Sequence, residues 1–213
     1  MDSGLIITLP QYDEVTEYFS KFSEEIIELA KSKSIKIKKI QDKEINKNNV
    51  EKILTKLKHS LIVFNAHGSS EVICGHQSEP ILINGQNEYL LKDRITYARA
   101  CNAGQTIGKN AVKEGGCFIG YKTPFEFFAD PEKYHNPLID ANAQLFLNPS
   151  NLVPLSLLKG NTAIQAHEKS KKQMLKNMKK VMISKKKDNI LMAASLWNNY
   201  VGQVLQGDNE ITI

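Results

Sequence analysis

Cysteine is scarce in this chain: three residues in 213, an odd number. That excludes a disulfide scaffold and points to free thiols in a reducing compartment. Arginine is scarcer still. Only Arg94 and Arg99 stand among the 28 basic residues, the rest being lysine. No apolar run approaches the roughly 18 residues of a membrane-spanning helix. The N-terminus lacks the basic start and long apolar stretch of a signal peptide, so the expectation is a cytosolic protein with no membrane partner. There is no internal repeat and no Gly/Ser linker. Nor is there a second pair of ligands beside Cys74 and His76 that would complete a zinc site. A net charge of +5 is mild. Nine lysines fall between Lys169 and Lys187, which makes the excess a local feature of one segment.

What is present is an alternation of apolar runs and amphipathic stretches. Gly4 to Leu9 reads as a first strand closed by Pro10. Tyr12 to Lys33 carries Val15, Phe19, Phe22, Ile26 and Leu29 at helical spacing, with Asp13 placed to cap its start. Ser34 to Ile40 alternates as a strand with one wetter face, near a sheet edge. Val50 to Leu57 reads as a helix, Ser60 to Ala66 as a fully apolar strand, and Glu71 to Ile83 as a hairpin. Arg94 to Ala100 and Cys117 to Tyr121 are further strands. Gly104 to Glu114 between them reads as a helix stopped by Gly115 and Gly116. The proline-rich stretch Lys122 to Lys159 reads as irregular. Asn161 to Ser184 and Lys187 to Val204 read as long helices, and Glu210 to Ile213 as a last short strand. The α/β pattern predicts one domain over residues 1–213: a doubly wound, mainly parallel sheet flanked by helices, with a helical C-terminal part.

Two residues stand just past apolar strands in this pattern. His67 follows Leu61 to Ala66, and Cys101 follows Ile95 to Ala100. In a parallel sheet, side chains just beyond the carboxyl ends of neighbouring strands share a crevice. A Cys and a His there form a nucleophile and its base. A helix beginning at Gly104 would favour the thiolate through its dipole. The backbone N–H groups of Gly68 and Cys101 are placed to hold an oxyanion, with glycine at 68 allowing close approach of a substrate backbone. Taken singly, a buried Cys is usually a small hydrophobe and a lone His usually structural. Their joint placement carries the assignment.

The segments Leu61-Ile-Val-Phe-Asn-Ala-His67-Gly68-Ser69 and Ile95-Thr-Tyr-Ala-Arg-Ala-Cys101-Asn-Ala-Gly104 resemble the two catalytic blocks of caspase-like cysteine proteases. The nearest likeness is to the caspase- and tetratricopeptide-associated (CHAT) branch. The run Gly104 to Tyr121 and the ending Ala194 to Asp208 are similar to the corresponding parts of such domains. The resemblance implies a caspase-like fold, a thiol endopeptidase needing no cofactor or metal, His67 as base, Cys101 as nucleophile and Gly68 as oxyanion donor. It further implies a protein or peptide substrate, control by a partner or by processing, and a place in prokaryotic defence or regulated cell death. Arg-Ala-Cys-Asn-Ala-Gly departs from the Gln-Ala-Cys-x-Gly block of true caspases, so their specificity does not transfer automatically.

Arg99 shares a strand face with Cys101 by alternation. In relatives, the position two before the nucleophile lines the pocket for the residue preceding the cut. An Arg there suits a carboxylate. The alternatives are a salt bridge from Arg99 to Asp93, Asp130 or another nearby acid, or a basic-residue pocket shaped by Glu126 and Asp130. Cys117, His59, His135 and His167 belong to no constellation. Gly104-x-x-x-Gly108-Lys109 lacks the spacing of a phosphate loop. The lysine-rich segment reads as a solvated helix face with Met174, Leu175, Met178 and Met182 as its buried stripe. Its functional alternative is docking on an acidic partner or nucleic acid, which would make the chain a scaffold. A nucleic-acid partner is not the expectation.

Overall fold

Two adjacent apolar runs, Leu5-Ile6-Ile7 and Leu61-Ile62-Val63-Phe64, have every side chain fully buried. A strand covered on both faces has no wet side, which is why neither alternates. The computed structural model describes residues 2–184 and 189–213. Its sheet contains Asp2–Leu9 (β1), Lys36–Gln41 (β2), His59–Asn65 (β3), Ile95–Arg99 (β6), Cys117–Tyr121 (β7) and Gln203–Gly207 (β8), in the order β2-β1-β3-β6-β7-β8. All neighbours are parallel except β7 and β8. Val72–Cys74 (β4) and Pro80–Ile83 (β5) form a separate antiparallel hairpin. The expected edge strand is β2, and the doubly wound, mainly parallel sheet is as the sequence pattern implies.

The helices are Glu14–Phe22 (α1), Glu24–Ser32 (α2), Lys47–Lys56 (α3), Thr106–Ala111 (α4), Ala141–Leu158 (α5), Ala163–Ile183 (α6) and Asn189–Gly202 (α7). Strand alternation divides the core. Leu5, Ile7, Leu61, Val63, Tyr97 and Ile119 pack with α1, α2, α5 and α6. Ile6, Ile62, Phe64, Ala98 and Phe118 pack with α3 and α4.

Four sequence expectations need correction. The single helix over 12–33 is two, broken at Ser23, whose hydroxyl donates to Phe19 O at 2.8 Å and accepts from Asn65 Nδ2 at 2.9 Å. A side chain competing for helix carbonyls bends the chain there. The stretch 122–159 ends in the 18-residue helix α5 despite Pro149 and Pro154 inside it. Its start is fixed by Asp140, which accepts from the Asn142 and Ala143 amides at 2.9 and 3.1 Å. Burial of Phe146, Leu147, Val153 and Leu157 overrides the loss of two backbone donors.

The last strand is β8, not 210–213. The tail instead satisfies orphan amides at the α6 N-terminus, Ala163 N–H to Ile211 O and Ile164 N–H to Asn209 O, at 3.0 and 2.9 Å. On α6 the buried stripe runs Ala163, Ala166, Ser170, Met174, Asn177 and Val181. Leu175 and Met178 are only half-buried, and Met182 is 63% exposed. Lys185, Lys186 and Lys187, part of the lysine-rich run, lie outside the described residues, as do the first residues of the helix expected from 187.

Candidate active site

The register of β3 against β6 pairs Asn65 with Arg99. His67 and Cys101 each lie two residues past that pair, on strands about 4.8 Å apart. Asn65 is buried and fixes this end of β3. Its Nδ2 donates to Thr8 O at 2.8 Å, at the end of β1, and to Ser23 between α1 and α2. His67 and Cys101 line one cleft of about 250 Å³ with Arg99, Phe19, Phe125 and Glu126. They are not hydrogen-bonded to each other in the free chain, where such contacts are often open before substrate binds.

The imidazole is held from its other side. His67 Nε2 donates to Asp13 Oδ2 at 2.8 Å. Asp13 is also the N-cap of α1, its Oδ1 accepting from the Thr16 amide at 2.8 Å. Burial pushes this carboxyl up, but the Thr16 amide, the His67 hydrogen bond and the Thr16 hydroxyl together hold it below the usual range. From sequence alone, Asp13 has only a capping role. The missed signal is its place: an acid just past β1, beside the strand that carries His67. Thus β1, β3 and β6, neighbours in the sheet, each deliver one of Asp13, His67 and Cys101.

Cys101 is half-buried, with its Sγ 4.0 Å from Phe125 O. Burial pushes the thiol pKa up, and the Glu126 carboxylate adds to that. The expected help from a helix dipole is absent. Residues 101–105 form turns, and α4 begins only at Thr106 and runs six residues. Asn102 has φ of 59°, the left-handed region that Asn tolerates better than most residues. Its amide donates to Thr123 O at 3.2 Å, tying the turn after Cys101 to the segment after β7.

Gly68 forms a bridge with Ile73, made by Ser69 N–H to Val72 O and Cys74 N–H to His67 O, both at 2.9 Å. That pattern leaves the Gly68 N–H out of the pairing. A Cβ at 68 would stand 3.0 Å from Val72 O and 3.1 Å from Ala100 Cβ. A side chain at 68 would have to displace these neighbours by a few tenths of an ångström, so the chain's own packing beside Cys101 favours glycine independently of any substrate.

Arg99 is fully buried. Its Nε donates to Ser150 Oγ at 2.9 Å and one Nη to Asn151 Oδ1, both on α5. Its guanidinium lies over the Phe19 ring, 5.2 Å from the centroid. Nη1 has no protein acceptor. The expected alternative, an ion pair with Asp93 or Asp130, does not form. The nearest linked acid is Glu25, one step removed, accepting from Asn151 Nδ2 at 2.6 Å. Ser150 and Asn151 sit in α5, where the two prolines hide the helix from a local sequence pattern, so the sequence does not point to them. Of the two acids thought able to shape a basic pocket, Glu126 lines the cleft, while Asp130 accepts from the Glu132 amide in a loop turn.

The other two thiols do not line this cleft. Burial pushes Cys117 up to about 12 and raises Cys74 as well. Among the described residues, no three His, Cys, Asp or Glu side chains are grouped to hold a metal. No described helix is long and apolar enough to cross a membrane.

No family model matches the chain, and no curated protein does. Solved structures do. The crystal structure of the Arg-specific cysteine proteinase gingipain R (RgpB) superposes with a TM-score of 0.62 at 13% identity, covering 99% of this chain and 47% of that one. The complex of the pro- and mature domains of RgpB from Porphyromonas gingivalis gives 0.59 at 11% identity, covering 99% and 48%. The chain spans about half the length of these structures. At such identity the likeness establishes the fold: the caspase-like sheet and helices of these cysteine proteinases.

Proposed function

We propose that the chain is a caspase-like cysteine endopeptidase domain, with Cys101 as nucleophile and His67 as general base. The observation that carries this reading is the shared cleft at the carboxyl ends of β3 and β6, with Asp13 on the far nitrogen of the imidazole. A carboxylate at Nε2 fixes the tautomer that leaves Nδ1 free to take a proton. Cys101 begins as a neutral thiol, so substrate must bring His67 and the sulfur together. The proton passes from Sγ to His67, and the thiolate adds to the scissile carbonyl. The Gly68 and Cys101 N–H groups hold the resulting oxyanion. His67 then protonates the leaving amine, and a thioester remains. Water, deprotonated by His67, hydrolyses it and regenerates the thiol.

Arg99 is the substrate-binding residue of this reading. Arg99 lines the cleft, and its buried guanidinium keeps one nitrogen without a partner, a donor that suits a carboxylate and makes an acidic residue before the cut the preferred one. The CHAT branch, a cytosolic setting that keeps three cysteines free, an activating protein partner and a defence role complete the proposal by analogy of sequence blocks and fold. The rival is a silent caspase-like scaffold docking through α6, favoured by the pushed-up Cys101 thiol and the exposed Lys172, Lys176, Lys179 and Lys180.

A cleavage profile on a diverse peptide library, run on the wild type beside Cys101→Ala, tests the two. Cleavage after acidic residues, lost in the variant, is expected. Equal profiles for both proteins would remove Cys101 as the nucleophile, and no cleavage of any peptide would leave the scaffold or an enzyme awaiting its activating partner.

A further inference from the structure

One wall of the cleft is the segment after β7, and residues 122–130 have no helix or strand of their own. Its backbone groups must find partners elsewhere. Several of them find partners on α7. Lys122 N–H donates to Gly202 O at 2.8 Å, and Asn198 Nδ2 donates to Pro124 O at 2.8 Å. Asn199, 1% exposed, does more: its Oδ1 accepts from Glu126 N–H at 3.0 Å and its Nδ2 donates to Glu126 O at 2.6 Å. One amide thus answers both backbone groups of one residue, as a neighbouring strand would. On either side of Glu126, Phe125 packs 5.7 Å from the Phe19 ring and Phe127 packs 5.4 Å from Tyr18. Those rings anchor the flanks of the wall, while the backbone at Glu126 itself is gripped by Asn199.

We infer that Asn199 is a positioning residue: through this one amide, helix α7 sets where Glu126 and its wall stand over Cys101. The inference rests on Cys101 being the reactive thiol of the proposed enzyme. Its consequence is that the charge environment of the thiol is controlled from the C-terminal helix, remote in sequence from the catalytic blocks. The charged groups around the sulfur are Glu126, His67 with Asp13 behind it, and Arg99, which also lines the cleft. Only Glu126 depends on α7 for its place.

The test is the pH–rate profile of Cys101 alkylation by iodoacetamide, followed by mass spectrometry on the full chain. It requires no peptide cleavage, so failure of the protease reading and failure of this one are separable. Glu126→Gln removes the repelling charge and is expected to move the profile down by about 0.5 pH unit, about threefold in rate below the midpoint. Asn199→Ala is expected to move it the same way. In the Asn199→Ala background, Glu126→Gln should then yield less than half its wild-type shift. Asn199→Ser keeps one hydroxyl partner and serves the same cycle if alanine prevents folding. Leu196→Ala, a fully buried packing change on the same helix, should lower the melting temperature with the profile in place. An Asn199→Ala profile that overlays the wild type, or a Glu126→Gln shift of equal size in both backgrounds, would overturn the inference.

Discussion

Asp13 and His67 are joined by a 2.8 Å hydrogen bond between neighbouring loops, and the second oxygen of the same carboxylate caps α1. The two duties separate by substitution. Asparagine caps a helix about as well as aspartate, but it brings no charge to the imidazole. Asp13→Asn should therefore unfold within about 0.5 kcal/mol of the wild type while kcat/KM falls about 10²- to 10⁴-fold. Asp13→Ala should lose the same activity and also about 1 kcal/mol of stability. Denaturant titration beside peptide hydrolysis checks both. Equal activity in Asp13→Asn would reduce the contact to a structural one.

Arg99→Lys keeps the charge and discards the planar fork that Ser150 and Asn151 hold in place. The expected outcome is a rise of about 10-fold or more in KM for substrates with an acidic residue before the cut, with a smaller change in kcat. Steady-state kinetics on matched Asp and Asn peptides would reveal it. Unchanged discrimination between the two peptides takes Arg99 out of the pocket.

Asn102 holds a positive φ directly after Cys101. Glycine adopts that conformation freely, whereas a β-branched side chain does not. Asn102→Gly should keep both stability and alkylation rate. Asn102→Val should cost about 1–3 kcal/mol and shift the thiol. Chemical denaturation of the pair, compared with alkylation, distinguishes backbone strain from loss of the side-chain amide.

His167 on α6 supplies a pH signature distinct from the site. Burial, then Lys171 one turn on, push its pKa down to about 4, against a smaller opposing contact with Gln203. The unfolded chain takes up this proton near 6.5 and the folded chain only near 4. Between those values the unfolded state binds more protons, so stability falls as the pH is lowered. The slope from this group is at most about 1.4 kcal/mol per pH unit. His167→Gln should flatten it. A slope unchanged in the variant would assign it to other groups.

Much of the frame was legible because its causes are local. β3 and β7 read as strands because their apolar runs are short and bounded. His67 and Cys101 stood out because each run ends on a residue with chemistry. α5 was obscured because Pro149 and Pro154 argue against a helix locally, and only burial against the sheet decides otherwise. With α5 unseen, the Ser150–Asn151 grip on Arg99 could not be foreseen. Asp13 was seen as a cap, but its second partner lies 54 residues away, a contact that only the β1–β3 pairing creates. The dipole argument for Cys101 failed over a few residues of helix boundary, the least readable feature of a sequence.

The shared carboxylate at Asp13 has one further consequence. Its capping stabilisation is present above about pH 4, the ordinary carboxylate pKa, and is lost as the pH falls through the lower folded value. The proton that ends the cap also ends the support of His67. The Thr16 amide, which donates to that carboxylate, is therefore a built-in reporter. Its chemical shift and its solvent exchange follow the electrostatic state of the cleft from a position that no substrate touches.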